Sequence, residues 1–183
     1  MSEQRVASRY AKSLIDLSKE QQVLEAVKND ITEFQRIVKG NLSLHTMLKS
    51  PVVNNGDKIA VLKKVFEQSF NKMTLSFLTI VVRKNRSAVL ESISEAFLQQ
   101  YNDLNNIISA TVKTAQVIDA AVTAEVTQFI EKQSGKKVAL TTIIDPSLIG
   151  GLVIQIGDNL YDASISGKIN KVKQNLLNTY ISK

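Results

Sequence analysis

The stretch IGGLVIQIGDNLYDAS, residues 149–164, is the part of the sequence whose residue types and spacing most suggest chemistry. Closely spaced glycines at the start of a helix can form a loop whose backbone N–H groups bind phosphate. Here Gly150 and Gly151 lead into an alternating, strand-like segment. The glycines of the whole region are also spread too widely for a dinucleotide-binding turn between strand and helix. Nucleotide binding is therefore disfavoured.

The same stretch is better explained as a structural hairpin. Gly150 and Gly151 permit a positive φ or a close backbone approach as the chain enters a strand, and Gly157 permits the same at the turn. Asp158 and Asp162 could form a carboxylate pair for acid and base catalysis, but no base, nucleophile or metal ligand stands near them in sequence. Turn and capping roles account for both aspartates.

Two other polar features have equally simple explanations. His45 is the single histidine, without a second histidine or a cysteine at the spacing of metal ligands. The run RKNR, residues 83–86, is the most basic cluster, but it lacks the aromatic residues that stack on nucleic-acid bases. Cations at a helix C-terminus, where the helix dipole is negative, explain it. We expect no catalytic residues, no metal and no cofactor.

Composition limits the possible classes of protein further. The chain has 183 residues, 44% of them hydrophobic, and no cysteine, which excludes disulfides and thiolate chemistry. The net charge of +6 is shared between both parts of the chain, so it does not indicate a concentrated surface for nucleic acid. The longest apolar run, FLTIVV, is too short to span a membrane. The N-terminus has no apolar core of a secretory signal, and we expect no transit peptide.

The first 105 residues are predicted to be helical. Apolar residues recur there at intervals of three and four, as in amphipathic helices. Turn signals separate six such segments, and Asn41 or Ser43 is expected to cap the third. Six helices with short connections predict a helical bundle over residues 1–105.

Beyond residue 105 the pattern changes to alternation, which is typical of half-buried strands. IISATVKTA predicts a strand, Asp119 is expected to cap a helix, and KKVALTTIID predicts a second strand. A hairpin and a final helix after Ser164 follow. The sequence predicts an α+β protein of two domains: the bundle, and a small α/β domain over residues 106–183 with a short sheet and two helices.

Helices one and five have unusually wide apolar arcs. In helix one, Ala7 and Ala11 adjoin the main stripe, and small residues four apart allow another backbone to approach closely. Helix five is apolar around most of its circumference, which deep burial in the bundle would also explain. We expect the two helices to form a groove that accepts an amphipathic helix from a partner.

The segment DPSLIGGLVIQIGDNLYDASISGKINKVKQNL, residues 145–176, closely resembles the C-terminal signature of the delta subunits of F-type ATP synthases. The mitochondrial relative of that family is the oligomycin-sensitivity-conferring protein. The family pattern of a glycine pair, an alternating strand, Gly-Asp, an aspartate and a helix-opening serine is matched, with Ile169 where leucine is usual. The matching positions are Gly150, Gly151, Gly157, Asp158, Asp162 and Ser164.

The N-terminal part of the chain resembles the same family. VASRYAKSLIDLSKEQ is similar to its opening helix, around the dipeptide Tyr10-Ala11, while KSPVVNNGDK and RKNR are similar to interior landmarks. The resemblance implies a non-catalytic connector whose first domain binds the N-terminal helix of the alpha subunit and whose second domain binds the peripheral-stalk b subunits. The residues expected to form the alpha-subunit groove are Ala7, Tyr10, Ala11, Leu14, Leu75, Leu78 and Val82.

The resemblance also implies one copy per complex, attached to the cytoplasmic face of a bacterial cell membrane through its partners. Two alternatives stay open at this point. An unrelated adaptor with a helical bundle and a small α/β module would share the architecture and differ only in its partner. A basic nucleic-acid-binding protein would show concentrated charge and salt-sensitive affinity.

Overall fold

The computed structural model describes residues 3–157 and 159–181, and side chains through residue 174. Asp158 lies outside these residues. The chain divides into two compact units, Met1–Tyr101 and Asn102–Lys183. The division falls inside the helix that precedes the first strand, whereas the sequence places the boundary just after that helix.

The first unit is helical because its apolar residues fall on one face of each segment. The described residues contain eight α-helices, and six of them come before the first strand. These six are α1 (Glu3–Glu20), α2 (Leu24–Gly40), α3 (Leu42–Lys49), α4 (Asn55–Phe66), α5 (Lys72–Arg83) and α6 (Leu90–Leu104), with a 3₁₀ turn (Ser87–Val89) leading into α6.

Asparagines define the starts of three of these helices. The side chain of Asn41 accepts a hydrogen bond from the backbone N–H of Leu44, which selects it over Ser43 as the cap of α3. Asn54 and Asn71 accept in the same way at the starts of α4 and α5. Each cap satisfies a backbone N–H that has no partner inside the helix.

The core of the helical unit is aliphatic, with one aromatic cluster. The rings of Phe34 and Phe66 lie 5.6 Å apart, and Phe66 stacks on Phe70 at 4.5 Å. Around them lie buried side chains from α1 to α6. They include Ala7, Val38, Leu48, Leu62, Leu78, Val81, Val82, Leu90 and Ile93.

In its described residues, the second unit contains a four-stranded sheet and two α-helices. Two parallel strands, β1 (Ile107–Thr114) and β2 (Lys137–Ile144), are joined through α7 (Ala120–Ser134). After a 3₁₀ turn (Pro146–Leu148), β3 (Leu152–Ile156) and β4 (Asn159–Asp162) form an antiparallel pair, and α8 (Ile165–Ile181) follows. The sheet order is β2-β1-β3-β4, with β1 antiparallel to β3. This is the predicted order of strand, helix, strand, hairpin and helix.

Helix α7 covers one face of the sheet. Val126 and Ile130 of α7 are buried against Ala110, Val112 and Ile154 of the strands. Asp119 is the N-cap residue of α7, as predicted, but its side chain forms no capping hydrogen bond. The backbone carbonyl of Asp119 instead accepts from both the N–H and the hydroxyl of Thr123, as in an ordinary first helical turn.

Candidate functional site

An open cleft of about 320 Å³ lies beside α1. Val6, Arg9, Tyr10 and Ser13 form its α1 side, since residues three and four apart share one helix face. Arg86, between α5 and α6, completes the lining. We call this site the α1 cleft. Its lining combines an aromatic ring, an aliphatic side chain and two cations.

Tyr10 connects the α1 cleft to α5. Its ring meets that of Phe77 edge to face, with centroids 6.3 Å apart and planes at 72°. Both side chains are only partly buried. Further along the two helices, Leu17 of α1 is 45% exposed and Ile80 of α5 is 51% exposed. Helices α1 and α5 thus each present apolar side chains at the surface of the helical unit.

The seven predicted groove residues do not share one open surface. Five of them are almost fully buried in the helical unit: Ala7, Ala11, Leu14, Leu78 and Val82. Only Tyr10 and Leu75 are partly exposed. Periodicity identified the two helices, but an apolar arc wider than one contact does not show which part of it faces the core.

Leu75 lies at a second cleft of about 570 Å³ between α4 and α5. That cleft is also lined by Lys63, Lys72, Arg83 and Ile80, among others. Arg83 therefore lines the second cleft, whereas Arg86 lines the α1 cleft. The basic run of residues 83–86 is split between two sites rather than forming one charged patch.

Sequence reasoning missed the two arginines of the α1 cleft. Arg9 stands next to Tyr10 in the opening helix, and Arg86 belongs to a landmark motif whose charges were assigned to the α5 dipole. The spacing of Val6, Tyr10 and Ser13 was the signal for the α1 side. No sequence pattern places Arg86 beside α1, because the turn that follows α5 determines its position.

In the second unit, the glycine pair allows the loop before β3 to lie against the start of α8. Gly151 has φ +75°, and a Cβ there would lie 2.5 Å from the carbonyl oxygen of Ala163. The carbonyl of Gly150 accepts a hydrogen bond from the N–H of Ile165 at 2.9 Å. Gly157 also has a positive φ, but a Cβ there would meet open space. The pair therefore packs against residues 163–165 of the same chain, Gly151 against their backbone and Gly150 against the Ile165 side chain.

Asp162 and Ser164 form the start of α8. The carboxylate of Asp162 accepts from the hydroxyl of Ser164 at 2.6 Å and from its N–H at 2.8 Å, and these bonds hold the pKa of Asp162 below its usual value. The Ser164 hydroxyl oxygen in turn accepts from the N–H of Gly167 at 2.9 Å. Gly167 packs directly against the Asp162 carboxylate, which leaves no room for a side chain. These polar contacts all belong to the cap at the start of α8.

Helix α8 carries an apolar stripe that the second unit leaves open. Ile165, Ile169 and Val172 recur at four and three residues, so they lie on one side of the helix. Ile169 and Val172 are 55% and 58% exposed. An exposed stripe of this kind is suited to contact with another helix.

His45 has an acidic partner that the sequence did not reveal. Its Nε2 lies 3.3 Å from the Glu91 carboxylate, which also lies 3.2 Å from the ammonium of Lys49. Burial raises the pKa of Glu91, but Lys49 and His45 outweigh that effect and lower it. The cluster joins α3 to α6. Among residues 3–157 and 159–181 there is no group of acidic, histidine or cysteine side chains arranged to hold a metal.

Comparison with known proteins gives a consistent result across the whole chain. The sequence profile of the family described as ATP synthase delta (OSCP) subunit matches residues 6–176. The ATP synthase subunit delta of Cytophaga hutchinsonii is 36% identical over 173 residues, 94% of each chain. That of Christiangramia forsetii is 32% identical over 180 residues, which is 98% of this chain and 97% of the relative.

A solved structure shares the fold. A chain in the cryo-EM structure of the Toxoplasma gondii mitochondrial ATP synthase hexamer superimposes with a TM-score of 0.69, covering 93% of this chain and 97% of that one. The two sequences are 20% identical. None of the helices in the described part of this chain is both long enough and apolar enough to cross a bilayer.

Proposed function

The chain belongs to the ATP synthase delta (OSCP) subunit family, and we propose that its two units hold two different partners, the alpha subunit of the catalytic head and the b subunits of the stalk. It is a non-catalytic subunit of the F-type ATP synthase and acts in the peripheral stalk, the stator that links the head to the membrane sector. A stator must resist the torque of the rotor, so it needs firm interfaces and no active site.

The helical unit binds the N-terminal helix of the alpha subunit along α1 and α5. The observation that supports this most directly is the α1 cleft with the Tyr10–Phe77 ring pair beside it. An amphipathic helix docks through apolar side chains that recur along one of its faces. On α1, Tyr10 and Leu17 lie two turns apart and offer apolar surface at two points along the proposed contact. Beneath this surface, Ala7, Leu78 and Val82 of the predicted groove lie in the core of the helical unit.

The five buried residues of the predicted groove support the docking surface from below and do not contact the partner. Ala7 and Ala11 keep α1 close to its neighbours, and Leu78 and Val82 fix the inner side of α5. The partner then contacts Tyr10 and the exposed apolar side chains around it. A stable contact of this type buries about 1,200–2,000 Å² in total, with a few aromatic or aliphatic anchors contributing most of the affinity.

The second unit binds the b subunits through α8. The support is the stripe of Ile165, Ile169 and Val172, which is exposed along one side of that helix. The cap formed by Asp162 and Ser164 fixes the start of α8, and the glycine pair fixes the loop that packs against it. The predicted signature is therefore a support for a binding helix rather than a binding site itself.

One copy of the chain serves each complex, at the cytoplasmic face of the cell membrane, which it reaches through its partners. The bacterial origin of the relatives supports this location.

The two assignments can be tested separately by gel filtration. Catalytic head that lacks this subunit, and a soluble fragment of the b subunits, are each mixed with the full-length chain. Tyr10→Asp places a charge in the α1 cleft and is expected to abolish comigration with the head while keeping that with the b fragment. Ile169→Asp is expected to have the opposite effect.

Thr32→Asp on the exposed side of α2 is the matched control and should leave both complexes intact. Circular dichroism of each variant checks that the fold is kept. If Tyr10→Asp comigrates with the head as the wild type does, the alpha subunit docks elsewhere. If Ile169→Asp still comigrates with the b fragment, α8 is not the stalk contact.

A further inference from the structure

Arg86 stands at a sharp turn between α5 and the 3₁₀ turn before α6. Asn85 adopts the left-handed conformation with φ +57°, and its N–H donates to the carbonyl of Val82 at 2.9 Å. The N–H of Arg86 donates to the carbonyl of Val81 at 3.1 Å. This pairing closes the end of α5 in the manner of a Schellman motif. The motif turns the chain away from the axis of α5 at Arg86, which lines the α1 cleft.

Both sequence neighbours of Arg86 are held by the first turn of α4. The side-chain amide of Asn55 donates to the side-chain oxygen of Asn85 at 2.6 Å. Three residues along the same helix face, the Lys58 ammonium donates to the Ser87 hydroxyl at 2.8 Å. We call these two bonds the α4 clamp. They fix the residue before Arg86 and the residue after it.

Lys58 is an unusual member of this clamp because it is a buried cation, 4% exposed, that forms no ion pair among the described residues. Its ammonium donates instead to the carbonyls of Leu48 and Ser50 at 3.2 and 2.7 Å. These carbonyls lie at the C-terminal end of α3, where the helix dipole is negative. A buried charge is costly unless it is fully hydrogen-bonded, and here all three protons have acceptors.

Ser87 closes the arrangement into a ring. Its hydroxyl donates to the carbonyl of Leu48 at 2.7 Å while it accepts from Lys58. The side chain is buried, so both bonds are shielded from water. The α3 end, α4 and the residue after Arg86 are therefore joined by four hydrogen bonds of 2.7–3.2 Å.

The charge of the α1 cleft indicates which kind of group Arg86 would bind. The described residues that line the cleft include Arg9 and Arg86 and no acidic side chain. Arg86 itself forms no ion pair within the described part of the chain. Arg86 is partly buried and lines the cleft together with an aromatic and an aliphatic side chain. An arginine in this setting is well placed to pair with a carboxylate, and such pairs contribute strongly to specificity.

We infer that Arg86 determines specificity in the α1 cleft by pairing with an acidic side chain of the docked helix, and that Asn55, Lys58 and Ser87 are positioning residues that hold it there. This inference rests on the proposed docking of an amphipathic helix at α1 and α5. The inference identifies the residue that recognises the partner's negative charge. It also gives the buried Lys58 a part in binding and not only in stability.

The test is calorimetric titration of the full-length chain with two synthetic peptides. The first is the N-terminal segment of the alpha subunit from the same organism, and the second is the same peptide with every Asp and Glu replaced by its amide. Arg86→Gln is expected to weaken binding of the acidic peptide about tenfold, the effect of losing one charge-assisted hydrogen bond. It should leave binding of the amide peptide unchanged.

Arg83→Gln is the matched control, since it removes a cation that lines the other cleft. Ser87→Ala tests the clamp without altering the cleft lining, and it leaves the bonds from Lys58 to the α3 carbonyls in place. We expect it to weaken binding of the acidic peptide about threefold and to cause no further loss when combined with Arg86→Gln, since coupled residues are not additive. Thermal unfolding of each variant checks that it remains folded.

Several outcomes would overturn the inference. Arg86→Gln could behave as Arg83→Gln does, or could weaken both peptides equally, and then Arg86 does not read a carboxylate. A loss from Ser87→Ala that adds fully to that of Arg86→Gln would show that the clamp does not act through Arg86. If the wild type binds and Tyr10→Asp does not, the proposed function survives these results. If the wild type binds neither peptide, both fail together.

Discussion

The hydroxyl of Thr74 in α5 donates a hydrogen bond of 2.6 Å to the carboxylate of Asp30 in α2. The same carboxylate oxygen accepts from the N–H of Asn71 at 2.8 Å, at the residue that caps α5. Asp30 is buried and Thr74 is fully buried. A negative charge beside the N-terminus of a helix is also favoured by the helix dipole. One carboxylate from α2 thus fixes the start of the helix whose other end leads to Arg86.

Replacing that carboxylate should destabilise the helical unit. Asp30→Ala leaves the Thr74 hydroxyl and the Asn71 N–H buried without acceptors and removes a charge from the α5 N-terminus. We expect a loss of about 2–3 kcal/mol in the free energy of unfolding, typical of buried groups left unpaired. Urea denaturation followed by circular dichroism measures it. Asp16→Ala, at an exposed position on α1, is the control and should change stability by less than about 0.5 kcal/mol.

Tyr101 gives a prediction at alkaline pH. Its hydroxyl donates to the carboxylate of Glu25 at 2.5 Å, and this hydrogen bond, with burial and the negative charge of Glu25, raises the pKa of Tyr101 from 10.0 to about 12. Between these values the unfolded chain loses the phenolic proton while the folded chain keeps it. The stability contributed by the protonated form is therefore complete below pH 10 and is lost as the pH rises towards 12.

The measurement compares wild type and Tyr101→Phe in urea at intervals from pH 8 to pH 12. The difference in unfolding free energy between the two proteins should be constant up to about pH 9.5 and should then shrink as the wild type alone loses stability. A difference that stays constant through pH 12 would show that Glu25 does not hold the proton on Tyr101.

Three glycine substitutions separate backbone strain from lack of space. Gly40 has neither a positive φ nor a neighbour within 4 Å of an added Cβ, Gly135 has φ +65° in open space, and Gly151 has φ +75° and a backbone oxygen at 2.5 Å. Substitution by alanine should be near neutral at Gly40, cost about 1 kcal/mol at Gly135, and cost clearly more at Gly151.

Thermal unfolding of the three variants tests this order. Gly151→Ala should also loosen the start of α8, and hydrogen exchange at Ile165, whose N–H binds the Gly150 carbonyl, is the specific readout. Equal effects at Gly135 and Gly151 would mean that the loop simply moves away from Ala163 and that the close approach is not required.

Sequence periodicity was sufficient for much of the fold. It located the helices before residue 105 and the change to strands after it, because apolar side chains must alternate with the period of the element that buries them. It also identified α1 and α5 as helices with excess apolar surface. It could not show that Leu78 and Val82 face inwards while Ile80 is exposed, since all three belong to one continuous apolar run in α5.

The polar contacts between the helices could not be predicted from the sequence, because their partners come from different helices and turns of the chain. Lys58 finds its acceptors on main-chain carbonyls and a serine hydroxyl, which have no sequence signature. His45 pairs with Glu91 on a distant helix, and Asp30 pairs with Thr74. Such contacts depend on how the helices pack against one another. From sequence alone, a lysine or aspartate in a helix is therefore predicted to be exposed to solvent.

Photo-cross-linking in the assembled ATP synthase tests the central proposal most directly. A photoreactive amino acid such as p-benzoylphenylalanine replaces Ser13, which is exposed at the α1 cleft, and in a parallel sample replaces Thr32 on the outer side of α2. We predict that the probe at position 13 cross-links to the N-terminal segment of the alpha subunit, identified by mass spectrometry, and that the probe at position 32 does not. Cross-linking from position 13 to another subunit, or only from position 32 to the alpha subunit, would contradict docking at α1 and α5.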